Sequence, residues 1–197
     1  MYWDFRKEVQ RKLIHLSVAV IILAIILFVN SYFGKQAALL CLVFLLLLFL
    51  IVDFFRVELN QKIPLLHPLW RTKEDNKFGG QIFFIIGAII AFAAFDLKIA
   101  LAAVLMATFG DSIAAIVGRI GRIRVSENKS LEGILAEFVV NLAIAYFIIG
   151  DFWIMLIMAL IATLVETLVN ELDDNLFTSI FSGFAGQLTI YVINYMK

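Results

Sequence analysis

Long apolar runs separated by short polar clusters make up the chain, and the length of the runs decides what they are. A helix needs about 20 apolar residues to cross a hydrocarbon core about 30 Å thick. Runs of that kind predict helices over residues 13–33, 36–55, 98–118, 131–149, 152–170 and 176–195. A shorter run over 80–95 suffices if flanking residues snorkel toward the interface. The expected fold is therefore all-α, a polytopic membrane protein of about seven transmembrane helices. The N-terminal stretch has the positive flank of a signal peptide. Its apolar run is about 20 residues and no small-residue cleavage site follows, so it reads as a retained first span. Residues 1–197 read as one domain, with no linker, repeat or low-complexity tract.

Basic residues orient these spans. Arg6, Lys7, Arg11 and Lys12 precede the first, and the next loop has only Lys35. Arg56, Lys62, Arg71, Lys73 and Lys77 follow the second, and then Lys98 stands alone. Arg119, Arg122, Arg124 and Lys129 follow the fourth. Rich and poor loops alternate, which places the N-terminus in the cytoplasm and the C-terminus outside. That polarity is opposite to the familiar seven-helix receptors. Composition agrees with the membrane: 63% of residues are hydrophobic and 16% charged, where a soluble domain carries about a quarter charged. The formal net charge is zero, so no basic field points to nucleic acid. The single cysteine, Cys41, allows no internal disulfide. No pattern in the chain specifies an oligomeric state.

Chemistry is sought in the polar residues that a bilayer should exclude. Asp111 lies in the fourth span, where a carboxylate costs about 2.5–3.5 kcal/mol on insertion scales and should face a partner inside the bundle. A second acidic group, Glu166, Asn170, Glu171, Asp173 and Asp174, ends the sixth span. Were the helix to continue, Glu166, Asn170 and Asp173 would share one face. Uncompensated carboxylates in so short a turn call for a cation, and hard oxygens suit Mg2+. Between the two acidic groups, Gly118 and Gly121 permit close backbone approach, while Arg119, Arg122, Arg124 and Lys129 supply positive charge. Asn128 or Ser130 can cap the fifth helix, whose N-terminal amides beside these bases make an anion site. Glu132 follows directly. A cationic cradle and a carboxylate cluster on one face are the two halves of a metal–nucleotide site. Structural readings compete: a helix-pairing carboxylate at Asp111, a solvated acidic turn, and a basic loop that only obeys the positive-inside rule.

In order and spacing these residues resemble the CTP-dependent lipid-alcohol kinases, the family of dolichol kinase, phytol kinase and CTP-using diacylglycerol kinase. The resemblance is carried by Gly110-Asp111-Ser112, Gly118-Arg119, Gly121-Arg122, Asn128-Lys129-Ser130-Leu131-Glu132-Gly133, Glu166 and Asp173-Asp174-Asn175-Leu176. Glu8 with Arg11-Lys12-Leu13-Ile14-His15 looks like that family's element at the first span, and Arg71, Glu74 and Gly80 like a weaker one before the third. The related phosphatidate cytidylyltransferases need downstream basic and His-Gly-Gly elements that this sequence lacks.

The resemblance implies transfer of the γ-phosphate of CTP to the hydroxyl of a membrane lipid, with Mg2+, at the cytoplasmic face. On that expectation Lys129, Arg119 and Arg122 clamp phosphates, and Gly118, Gly121, Asn128, Ser130, Glu132 and Gly133 complete the nucleotide site. Asp111, Asp173 and Asp174 hold the metal, and Glu166 or Asp111 accepts the alcohol's proton. Arg11, Lys12, His15, Glu74 and Asn175 are assigned to the lipid headgroup or to support. His67 and Asn141 are expected to be structural, Asn141 by bonding a neighbouring helix. The rivals are a cytidylyltransferase making a CDP-lipid and a cation-coupled transporter. A transporter should place its acids near the midplane between inverted repeats.

Overall fold

The computed structural model describes residues 5–58, 78–126, 129–169 and 174–196, with side chains from residue 12 onward. Among these residues every regular element is helical, apart from an isolated antiparallel bridge between Arg124 and Ser130. The chain packs as two units, divided between Ile89 and Ile90.

The first unit opens with α1 (Phe5–Ala24), a π-turn over Ile25–Val29 and α2 (Asn30–Val57). The predicted first and second spans are thus parts of one helical stretch, Lys12–Val57. Gly34 interrupts it with φ +85° and ψ 169°, a conformation costly for any residue with a Cβ. Nothing lies within 4 Å of where a Cβ would stand, so conformation rather than crowding demands the glycine. The stretches on either side, 12–33 and 35–57, each exceed 20 residues and about 30 Å. Near the end of α2 the buried Asp53 accepts from Arg56 Nε at 2.9 Å and from the Gly79 amide at 2.6 Å. This ties α2 to the start of α3 (Gly80–Ala94). His15 holds α1 to the same start: its Nδ1 lies 3.3 Å from Gln81 Oε1, and its ring 4.5 Å from that of Phe84.

In the second unit α4 (Leu97–Leu105), a π-turn (Met106–Gly110) and α5 (Asp111–Ile120) follow without a break, giving 24 helical residues, Leu97–Ile120. Then come α6 (Leu131–Ile148), α7 (Phe152–Leu168) and α8 (Asp174–Tyr195). Asp151 caps α7, accepting from the amides of Trp153 and Ile154. At its other end α7 stops at Leu168, and Val169 is extended with φ −82° and ψ 112°. The continuous helix that would have set Glu166, Asn170 and Asp173 on one face is therefore not formed. Asn170, Glu171 and Asp173 lie outside the described residues.

Both units turn apolar side chains outward, including Phe28, Phe44, Phe147, Phe181 and Leu188. Soluble monomers rarely expose contiguous apolar surface on this scale, and each such side chain gains about 1.5–3 kcal/mol on leaving water. The inward face of α8 is instead small and polar: Asn175, Thr178, Ser179, Ser182, Gly183, Gly186 and Thr189. A Cβ on Gly183 would run into the Phe95 ring, and one on Gly186 would stand 2.5 Å from Met158 Sδ. Lipid outside and small residues at helix crossings are the pattern of a membrane bundle. Four described helices are long and apolar enough to cross a bilayer, the Gly34-interrupted stretch counted as one, and α3 and α7 are shorter apolar helices.

Candidate active site: a carboxylate cluster beside Lys129

The loop between α5 and α6 is folded by its own polar residues. Ser130 caps α6, its Oγ accepting from the Gly133 amide at 3.2 Å. Asn128, the alternative cap, lies outside the described residues, as does Glu127. Glu132 bends back so that its Oε1 accepts from the amides of Arg122 at 2.8 Å and Ile123 at 3.2 Å. Arg124 donates to the Gly118 carbonyl at 3.0 Å and the Arg119 carbonyl at 3.4 Å, closing the last turn of α5. Glu132 and Arg124 are thus occupied in shaping the loop, while the side chains of Arg119 and Arg122 are exposed at its rim.

The glycines expected to bind nucleotide have a packing role in this structure. A Cβ on Gly133 would stand 2.7 Å from Gly118 Cα and 2.9 Å from the Ala114 carbonyl oxygen. At Gly121 a Cβ would collide with the Ser130 side chain. These residues let α5 and α6 cross backbone to backbone, which brings the loop, the cap and the cluster within reach of one another.

Three helices of the second unit then converge. Asp111 at the start of α5, Glu166 near the end of α7 and Asp174 at the start of α8 each offer a carboxylate oxygen, all within 4.8 Å of one another. Three points so placed share a centre no more than about 2.8 Å from each, about 0.2 Å beyond the usual Ca2+–oxygen range and about 0.7 Å beyond that of Mg2+. The residues fit a divalent ion with hard-oxygen preference. Charge repulsion argues the same way. At 4.8 Å two ionised carboxylates repel by about 3.5 kcal/mol at an effective dielectric constant of about 20. Lys129 offsets part of this repulsion, and the remainder calls for a bound cation or a retained proton.

Lys129 is the basic neighbour. Its Nζ lies 3.7 Å from Glu166 Oε1 and also donates to the Glu166 backbone carbonyl. Asn175 steadies Asp174, its amide and Nδ2 donating to Oδ1 at 3.0 and 3.2 Å. Of the predicted residues, then, Asp111, Lys129, Glu166, Asp174 and Asn175 are brought together. Asp173, Arg71, Glu74 and His67 lie outside the described residues, and the side chain of Arg11 is likewise not described. Lys12 and His15 are buried in the first unit, where His15 has the bond to Gln81 given above.

One member of the cluster escaped the sequence reading. Glu137 on α6 is 1% exposed and interacts electrostatically with Asp111, Lys129 and Asp174. Asn141 Nδ2 donates to Glu137 Oε1 at 3.4 Å and to Thr163 Oγ1 on α7 at 3.1 Å, the neighbour-helix bond expected of Asn141. The signal was present as Gly133, Glu137, Asn141 and Ala145, the buried residues of α6, which recur every fourth position. Small or polar residues at that spacing mark the inward stripe of a membrane helix.

No protein-family model matches the chain, and no solved structure is significantly similar to it. Curated relatives are found by sequence. The chain is 32% identical over 157 residues to CTP-dependent diacylglycerol kinase 1 of Eremothecium gossypii, covering 71% of this chain and 46% of that one. With the Saccharomyces cerevisiae protein of the same name it shares 29% identity over 160 residues, 77% of this chain and 54% of the other. This chain spans about half the length of those two relatives. An uncharacterised protein of Methanocaldococcus jannaschii is 31% identical over 156 residues, 75% of this chain and 76% of its own length. Similarity of this extent to the diacylglycerol kinases shows that the chain belongs to the CTP-dependent lipid kinase family.

Proposed function

We propose that this protein is a membrane enzyme transferring the γ-phosphate of CTP to the hydroxyl of a membrane lipid, at the end of the second unit marked by the 121–130 loop. The observation that carries the reading is the meeting of Asp111, Glu166 and Asp174 beside Lys129, in a chain whose relatives are CTP-dependent diacylglycerol kinases. Diacylglycerol is the first acceptor to test, with polyprenol, dolichol and phytol as members of the same class of hydroxyl on an apolar tail.

Phosphoryl transfer depends mainly on positioning and on neutralising phosphate charge. Lys129 and the loop-rim Arg119 and Arg122 approach the phosphates, and the capped N-terminus of α6 adds its positive end. Asp111, Glu166 and Asp174 would hold Mg2+. When bound, the ion offsets the charge of carboxylates and phosphates together. The alternation of basic loops supports seven spans with the N-terminus in the cytoplasm and this loop on the cytoplasmic side, where CTP is available; the apolar exteriors of the helices let lipid approach sideways.

The test uses purified protein in lipid nanodiscs with γ-labelled CTP and a panel of lipid alcohols. Labelled lipid phosphate and CDP are expected, whereas pyrophosphate would signal cytidylyl transfer instead. Asp111→Asn should abolish transfer while eluting as a folded protein. Full activity in that variant would overturn the assignment.

A further inference from the structure

Glu137 is the buried carboxylate of the second unit, among the described residues, to which the scheme above gives no role. Along α6 the polar partners are layered. Lys129, just before the Ser130 cap, meets Glu166, and Asn141, three turns into the helix, meets Thr163. Glu137 sits between these layers, about 10 Å along the axis from the cap. The exposed Arg119 and Arg122 lie at the loop end of α5 and α6, which the kinase reading makes the entry side for a triphosphate, and the far side of the cluster lies deeper along α6. In phosphoryl transfer the attacking and leaving oxygens stand roughly in line on opposite sides of the phosphorus. A nucleotide entering from the loop therefore leaves the deeper side to the acceptor.

Resting on the phosphoryl-transfer reading, we propose that Glu137 accepts the hydroxyl proton of the lipid alcohol, with Asn141 and Thr163 as positioning residues. Asp111, Glu166 and Asp174 converge on one point suited to a cation, and carboxylates committed to a cation are poor proton acceptors. Glu137 stands outside that triad. Its carboxylate is held by Asn141 Nδ2, which Thr163 anchors in turn. Asn141 Oδ1 is fully buried and has no hydrogen-bond donor. It faces Gly110, the residue before Asp111: a Cβ there would stand 2.7 Å from Asn141 Oδ1 and 3.3 Å from Glu137 Cγ. An acceptor oxygen lacking a donor, beside a carboxylate and one residue from the cation triad, is an arrangement that suits a hydroxyl donor. In the reaction the alcohol oxygen bonds to the γ-phosphorus. The bond from that phosphorus to the β,γ-bridging oxygen breaks, with its electron pair leaving on CDP. The hydroxyl proton passes to Glu137 and is returned to water after product departs.

The experiment compares wild type with Glu137→Gln in nanodiscs, using CTP, Mg2+ and two acceptors: a plain lipid alcohol and its β-fluorinated counterpart, whose hydroxyl gives up its proton more readily. Glu137→Gln should lower kcat for the plain acceptor by about 10²–10³-fold. Its Kd for CTP with Mg2+ should stay within twofold of wild type. The deficit should shrink at least tenfold with the fluorinated acceptor, which a merely structural defect would not produce. A kcat above one third of wild type, a tenfold weaker CTP affinity, or equal deficits with both acceptors would overturn the proposal. If the Gln variant does not fold, Glu137→Asp, which keeps the charge but retracts it by a methylene, takes its place; an unchanged kcat there is equally fatal. A wild type that phosphorylates no lipid alcohol while binding CTP sinks the kinase reading, and this assignment with it.

Discussion

Asp174 shows at the level of one side chain how function and stability oppose each other in the cluster. Its carboxylate lies within 4.8 Å of both Asp111 and Glu166, so it takes part in two of the three repulsive pairs. Asp174→Asn keeps a side chain of the same shape for Asn175 to bond and removes that repulsion. The variant is expected to unfold at a temperature several degrees above wild type in buffer containing a chelator, with the difference narrowing when millimolar Mg2+ is added, and to lose activity in both. Differential scanning fluorimetry with and without Mg2+ checks this, and a variant less stable than wild type in chelator would contradict it. Lys129 differs in kind, since its charge opposes the repulsion. Lys129→Met should lower kcat/KM for CTP by about 10²-fold or more, with KM for the lipid little changed.

Helix crossings decide whether these side chains meet, and here the sequence was only partly informative. The helices themselves were plain from the apolar runs, and the α6 cap was narrowed to Asn128 or Ser130, of which Ser130 caps the helix. The crossing of α5 on α6 was not: Gly118 and Gly133 read as a phosphate cradle, because glycine admits a ligand and a second helix for the same steric reason. Gly133→Ala places a methyl against the Gly118 backbone and should cost about 1–3 kcal/mol, a fall of roughly 2–4 °C in Tm per kcal/mol. Ser130→Ala, which removes the cap and the hydroxyl's bond to Glu132, should cost about 1–2 kcal/mol. The same thermal assay ranks them. Glu137 went unread for a related reason. Its fourfold spacing with Gly133, Asn141 and Ala145 is a two-dimensional signal hidden inside an apolar run, whereas Asp111 sits among small residues that draw the eye. The break at Gly34 was legible, since the polar residues around it predicted a turn at 34–35, and Gly34 is where the helical backbone is interrupted.

For the molecule as a whole, the alternation of basic loops makes a topological claim that labelling can test. With Cys41→Ser as background, Ser126→Cys and Lys98→Cys each carry one exposed thiol. An impermeant maleimide added to right-side-out vesicles should modify Lys98→Cys only, and added to inside-out vesicles should modify Ser126→Cys only. Modification of both from one side would rule out the proposed arrangement of spans. The attachment of Lys129 to Glu166, by side chain and by backbone carbonyl, reaches furthest at this scale. A phosphate that draws the lysine away leaves Glu166 needing another positive partner, and a divalent ion that takes Glu166 releases the lysine for phosphate. Each guest thus prepares the other's place. By thermodynamic reciprocity the factor by which Mg2+ strengthens CTP binding must equal the factor by which CTP strengthens Mg2+ binding, typically 5–150-fold for coupled sites. On the proposed reading, either guest alone would bind more weakly by that same factor.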